Sequence, residues 1–370
     1  MKVLLAQFRK PPVESRFFDR IGAVLARSGM MVLSAGNGNI KFDKPDDSTI
    51  CILPVFQWPA SSGNWQNLQR LWQLMLCERP AVLIYSSPEI SLLIPLIRLV
   101  FPGLEIVFDL QENHGLNFRK QTYRPSAAFL FAAAADLLVW LGRTGSHRIW
   151  LAEKIYQTQF PGMKRKSGLV ENFPSWRYTR QAMQIENPFA LCFTGFISRE
   201  SGILQAIELV KTLRQNNPAY HLLVCGYCAD SRLREEILQH PFIHCTKPLE
   251  SWASDEDIFC CMQKSAAQLM AYEETEANLD KTPSKWYASL ACGLPVWYNL
   301  STGLDLPERD RIGFPIDFRH PGPDLNERWM QFLKNFQPDY KQERWEGFVH
   351  LIEKEMPASG IRPFFCGTAI

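Results

Sequence analysis

Short runs of β-branched, aromatic and aliphatic residues alternate along this chain with longer stretches whose apolar positions recur at helical spacing. In the first half the runs that predict strands are Val3–Phe8, Met31–Ser34, Thr49–Leu53, Val82–Tyr85, Ile106–Leu110 and Leu137–Leu141. From Asn172 to Pro188 the chain carries prolines, asparagines and mixed charge with no sustained period, the pattern of a linker. The alternation then restarts, with strands predicted at Leu191–Thr194, His221–Val224, Ile243–Thr246, Ala266–Met270 and Val296–Tyr298, and helices such as Gly202–Gln215. Parallel βαβ units in two blocks predict an α/β protein built from two Rossmann-like, doubly wound parallel-sheet domains. The predicted divisions are 1–172, a linker at 173–188, a second domain at 189–337, and a C-terminal helix and tail at 338–370 that packs back on the first domain. Open α/β sheets bind ligands beyond their strand C-termini, so a central cleft faced by both domains is the expected site. Between Pro323 and Glu355 two helices are predicted, whose Trp329, Phe332, Phe336, Trp345 and Phe348 read as core anchors.

Composition adds constraints. At 370 residues and 46% apolar content the chain is long enough for two cores. Forty basic against 38 acidic residues leave a formal charge of +2, which argues against a nucleic-acid partner. The apolar run after Met1 is shorter than a secretory signal requires, so the ten cysteines are expected to be reduced thiols and the compartment cytoplasmic. Cys225 and Cys228 form a CxxC without a second pair at zinc-ligand spacing, which reads as two small core residues. The longest apolar stretch, Ala127–Leu141, is interrupted by Asp136 and falls short of a membrane span.

Several points along the chain suit chemistry. Pro283 fits the first turn of a helix, where free N–H groups of Ser284 and Lys285 could face an anion; the alternative is an ordinary helix start. Gly195 follows the first strand of the second block, where a missing Cβ admits a phosphate or sugar. Arg199 reads equally as a diphosphate contact or a solvated surface arginine. Glu273, Glu274, Glu276 and Asp280 crowd a polar loop before Pro283, as carboxylates that could meet sugar hydroxyls or a growing positive charge. Asp109, Glu112, Asn113 and His114 follow a predicted strand of the first block.

Five segments in order resemble the family 4 retaining glycosyltransferases of GT-B fold. They are SRFFDRIGAVLARSGMMV from Ser15, FDLQEN from Phe108, VENFPS from Val170, FTGFISRESGILQAIELV from Phe193 and PSKWYASLACGLPVW from Pro283. The resemblance implies a metal-independent, hexosyltransferase-like enzyme that takes a nucleotide-sugar donor as substrate, with no cofactor. The acceptor would be a glycan or lipid-linked saccharide, in cell-surface polysaccharide biosynthesis. On this reading Asp280, Glu112 and His114 are the catalytic set, with Gly195, Arg199, Lys247, Leu249, Glu276, Ser284 and Lys285 on the donor and Asp109 and Asn113 on the acceptor side. No Asp-x-Asp metal motif is expected near the cleft. Where relatives place a second glutamate for the ribose this chain has Ala288, and where they carry a basic residue it has Ser201. Those departures keep a catalytically degenerate binding subunit open, and a nucleotide-sugar epimerase is a third reading. Arg119, Lys120 and Arg124, with Lys164, Arg165 and Lys166, suggest weak peripheral association with the inner face of the cytoplasmic membrane, or solvated surface.

Overall fold

The computed structural model describes residues 1–14, 16–38, 55–59, 63–120, 125–160, 162, 166–172, 185–251, 253–272, 283–299, 312–336, 347, 349–352 and 354–356. The chain divides into two compact units, Met1–Asn172 with Gly347–Ile370, and Phe173–Glu346.

The first unit runs β1 (Lys2–Ala6), a π-helical turn Arg16–Gly22 leading into α1 (Ala23–Arg27), β2 (Met31–Asn37), β3 (Val55–Trp58), α2 (Asn64–Glu78) and β4 (Val82–Tyr85). A 3-10 turn, Pro88–Leu93, enters α3 (Ile94–Val100), followed by β5 (Glu105–Leu110), α4 (His114–Lys120), α5 (Pro125–Gly145), β6 (Arg148–Leu151), α6 (Tyr156–Gln159) and β7 (Ser167–Leu169). All seven strands are parallel, in the order β3-β2-β1-β4-β5-β6-β7. Their apolar runs are continuous because helices cover both faces: Leu4, Leu83 and Phe108 are as fully buried as Val3, Val82 and Val107.

The second unit repeats the scheme with β8 (Ala190–Phe196), α7 (Ile203–Asn216), β9 (His221–Tyr227), α8 (Ser231–Leu238), β10 (Ile243–Cys245) and α9 (Asp255–Gln263). It continues with β11 (Ala267–Met270), α10 (Ser284–Cys292), β12 (Val296–Asn299), β13 (Gly313–Ile316) and α11 (Leu325–Asn335). These strands are also parallel, ordered β10-β9-β8-β11-β12-β13. Trp329 of α11 is fully buried, lies 5.0 Å edge-on to Trp297 and stacks at 5.6 Å on Phe332. Its indole N–H donates to the carbonyl of Pro188 at 3.1 Å, anchoring the start of the unit. Trp345, Phe348 and the Thr49–Leu53 run lie outside the described residues.

Four strands, β3, β6, β7 and β13, are additional to those predicted, and the predicted strand Leu137–Leu141 belongs to α5. Five consecutive apolar residues fit a strand or a buried helix equally by period. The buried stripe Ala128, Ala132, Ala135, Val139 and Gly142, at steps of three and four, shows the helix. Residues Ala127–Gly145 of α5 are long and apolar enough to cross a membrane by length and composition, which revises the shorter reading of this stretch.

A buried ion pair fastens the first unit. Arg16 donates to both oxygens of Asp109, at 2.9 and 2.6 Å, and the pair is 4% and 0% exposed in its side chains. The same guanidinium donates to the carbonyls of Val170 and Glu171 and to Asn172 Oδ1. All five of its N–H donors are thereby engaged. Removing one partner leaves an uncompensated buried charge, at a cost of ~3–5 kcal/mol. Asp109→Ala is therefore expected to lower protection from hydrogen exchange in β5 by that amount, and Arg16→Met with Asp109→Leu to recover most of it.

Candidate functional site

In the second sheet the strand order reverses between β8 and β11, the position where doubly wound sheets admit ligands at their strand C-termini. The backbone there is shaped by glycine. Gly195, near the end of β8, has φ +92°, and a Cβ on it would meet nothing within 4 Å, so conformation and not crowding calls for glycine. Gly202, before α7, has φ +85°, and a Cβ there would stand 2.0 Å from the carbonyl oxygen of Ala271. That contact presses the start of α7 against the chain leaving β11. Ser198 and Ser201 close the intervening loop: each backbone N–H meets the other's hydroxyl, at 2.9 and 3.2 Å. Ser201 is thus spent on the loop.

Lys285 extends over the same strand ends from the first turn of α10. The helix opens at Pro283 with no side-chain cap, leaving the N-terminal end of its dipole without a carboxylate or hydroxyl partner from the cap residue. Lys285 is 7% exposed, and its Nζ lies 4.2 Å from the ring centre of Phe193 in β8 and 4.9 Å from that of Tyr272 after β11. Two ring faces attract the ammonium but accept none of its three N–H donors as a strong hydrogen bond. Among the described residues Nζ has no hydrogen-bond partner. Burial brings its pKa down from 10.5 to about 7. Near neutral pH this is a cation poised to keep or lose its proton, with the donors an anion would satisfy.

The other predicted donor residues are placed differently. Ser284 is exposed beside Lys285 on the same first turn. Arg199 is half-exposed and paired with Glu236 at 2.8 Å, which gives it the surface role. Lys247 pairs with Asp257 at 3.0 Å. Asp257 also closes the capping box of α9 with Ser254, so the triplet Asp255-Glu256-Asp257, despite its Asp-x-Asp spacing, is a helix start. Leu249 is 2% exposed within the unit's main core, and its carbonyl accepts from Cys228 N–H at 2.8 Å; its side chain is a packing residue and not a donor contact. Cys225 and Cys228 are buried free thiols. Glu276 and Asp280 lie outside the described residues.

In the first unit, Asp109 is committed to Arg16 and to Gln111, whose amide donates at 2.8 Å, which removes it from the acceptor side and makes it structural. Glu112 is half-exposed and accepts from Asn117 at 3.3 Å. Asn113 caps α4, accepting from Leu116 N–H at 3.0 Å, and donates to Gln159 at 2.8 Å. The His114 Nδ1 stands 4.0 Å from Glu112. Burial lowers the His114 pKa, against the opposing charge of Glu112, so the imidazole is neutral at pH 7. Sequence reasoning missed Glu89, which follows β4 next to the strand-order reversal of this sheet. It is buried, accepts from Arg9 Nε at 2.9 Å, and its Oε2 has no partner among the described residues. A lone glutamate after Ser-Pro carries no spacing signal; its placement at a strand end beside the reversal is the only clue.

Neither a protein-family model nor a curated protein matches this chain by sequence. Its fold matches solved GT-B structures over nearly full length. HepE of Anabaena, solved in complex with UDP and glucose, is 12% identical, with 96% of this chain and 94% of that one aligned at a TM-score of 0.57. Sucrose-phosphate synthase from Thermosynechococcus elongatus is 10% identical over 95% and 94%, with a TM-score of 0.58. A protein described as a UDP-N-acetylglucosamine 2-epimerase from Listeria monocytogenes is 12% identical over 94% and 90%, with a TM-score of 0.50. The chain therefore has two parallel-sheet α/β domains of GT-B type.

A bare buried cation has a signature in stability. The unfolded lysine holds its proton up to about pH 10.5 and the folded one releases it above about 7, so between those values the unfolded chain binds more protons. Stability contributed by this site then rises with pH across that window. Lys285→Met should be more stable than wild type below pH 7, by ~1–4 kcal/mol, with the gap closing toward pH 10. Differential scanning calorimetry across pH reads this out; a variant less stable than wild type at every pH would contradict it.

Proposed function

We propose that this chain is a glycosyltransferase whose nucleotide-sugar donor places its diphosphate at Lys285 and the N-terminus of α10. The observation that carries the reading is the buried Lys285 ammonium with no hydrogen-bond partner among the described residues, at the strand-order reversal of the second sheet. A diphosphate supplies what is missing there: oxygens for the N–H donors and negative charge for both ammonium and helix dipole. The presence of UDP and glucose in the Anabaena structure of the same fold supports a uridine diphosphate sugar as the first donor to try.

In the proposed transfer, the bond from the anomeric carbon to the diphosphate oxygen breaks and a bond to an acceptor hydroxyl oxygen forms, the hydroxyl proton passing to the departing diphosphate oxygen, with retention of configuration. Protonated Lys285 stabilises the charge that develops on the leaving diphosphate, so the charge balance is met by protein groups without invoking a metal. Gly195 leaves room beside it for the sugar. We place Asp280 and Glu276 on the donor sugar, and Glu112 and His114 on a glycan or lipid-linked acceptor, in polysaccharide biosynthesis at the cytoplasmic face of the membrane. A binding subunit without turnover is the second reading, favoured by Ala288 at the ribose position and by Ser201 being consumed in its loop. Sugar transfer from a nucleotide-sugar panel to extracted lipid-linked glycans separates the two, and donor interconversion without acceptor would mark an epimerase.

Isothermal titration with UDP should show binding that Lys285→Met weakens ~10- to 100-fold, the loss of a charged hydrogen-bond donor. Because the bound anion raises the lysine pKa, wild-type affinity should fall by up to tenfold per pH unit above about 7, and the variant should lack that slope. Equal binding by wild type and variant would remove the proposed phosphate site.

A further inference from the structure

We propose that His221 and His244 together bind a zinc ion at the edge of the second sheet, a site independent of the transferase reading. The two residues lie on neighbouring parallel strands, His221 opening β9 and His244 in the middle of the edge strand β10. Ile243 pairs with Leu222 and Cys245 with Val224, and these four side chains turn toward the unit's main core. Side chains alternate along a strand, so His221 and His244 share the opposite face. Their ring centres are 5.7 Å apart, with the ring planes at 64°.

Two features separate this pair from an ordinary contact between rings. The first is spacing: with Zn–N bonds of about 2.0–2.1 Å, two imidazoles on one ion hold their centres roughly 4.5–6.5 Å apart, a range that includes the observed value. The second is the tautomer. His221 Nδ1 lies 3.0 Å from the carbonyl oxygen of Ala219. A carbonyl only accepts, so Nδ1 carries the proton and Nε2 of the neutral ring presents its lone pair. Metal-ligating histidines are held in this way, the carbonyl fixing both tautomer and ring orientation. His244 is exposed, and side-chain rotation can turn its edge to the same point. Neutral imidazole suits zinc and its transition-metal neighbours, whereas magnesium and calcium take oxygen ligands. Among the described residues no third His, Cys, Asp or Glu completes a cluster with the pair, which leaves the other coordination positions to water. Zinc there would fasten the three-residue β10 to β9, the outermost pairing of the sheet.

The test is isothermal titration of the full chain with zinc chloride and, separately, with magnesium chloride in a non-coordinating buffer. Wild type is expected to bind one zinc saturably and no magnesium. His221→Gln and His244→Gln should each weaken zinc binding by ~10-fold or more, since a second-shell partner alone is worth that much. Cys77→Ser with Cys260→Ser, which removes the exposed thiols among the described residues, should leave it unchanged. Imidazole nitrogen NMR on wild type gives a readout independent of the variants: Nε2 of both histidines should shift together as zinc is added, while Nδ1 of His221 keeps its proton. Absence of saturable zinc binding, equal binding by the histidine variants, or binding lost with the two thiols would overturn the proposal.

Discussion

Taking an ammonium out of water costs several kcal/mol unless something returns its lost hydrogen bonds. Lys285 is in that position, since its Nζ is enclosed by the rings of Phe193 and Tyr272 with no acceptor among the described residues. The fold around it is built to hold it there. Helix α10 begins at Pro283 and points its first turn at the ends of β8 and β11, while Gly202 lets α7 press against Ala271 beside the same strand ends. Under the proposed function, an anion arriving at this position would restore the hydrogen bonds that burial has cost the ammonium.

Arg16 makes the contrast. It is as buried as Lys285, yet its donors reach Asp109, Val170, Glu171 and Asn172, and nothing remains for a ligand. One buried cation fastens β5 to the end of the first unit; the other is left incomplete. Burial by itself does not separate these two cations, whereas satisfaction of their hydrogen bonds among the described residues does. Glu89, with one buried oxygen unpartnered among the described residues, differs from Asp109 in the same way.

Much of the architecture is legible in the chain because parallel strands covered on both faces read as unbroken apolar runs. Val82–Tyr85 is matched residue for residue, and β8, β9 and β12 begin within a residue of their predicted starts. The strands that escape are short and begin or end on polar or small residues, as in Arg148–Leu151 and Ser167–Leu169, so no run stands out. Helix α5 was open to misreading because apolar residues surround it, and only burial distinguishes its small inner stripe from its large outer face. At the site, Lys285 is readable from the proline-led helix start. The commitment of Asp109 to Arg16, 93 positions earlier in the chain, is invisible to local pattern, and so is the burial of Leu249. Arg199, in the turn after β8, illustrates the same limit, since its partner Glu236 arrives from helix α8.

The state of one proton decides the account. Selective labelling of lysine Cε and Nζ, with Lys285→Met to assign the signal, lets the Lys285 titration be followed by NMR with and without UDP. The expected midpoint is near pH 7 in the free protein, moving up by a unit or more when UDP binds. A midpoint near 10.5 that UDP leaves unchanged would show a solvated lysine with no anion to meet, and would contradict it.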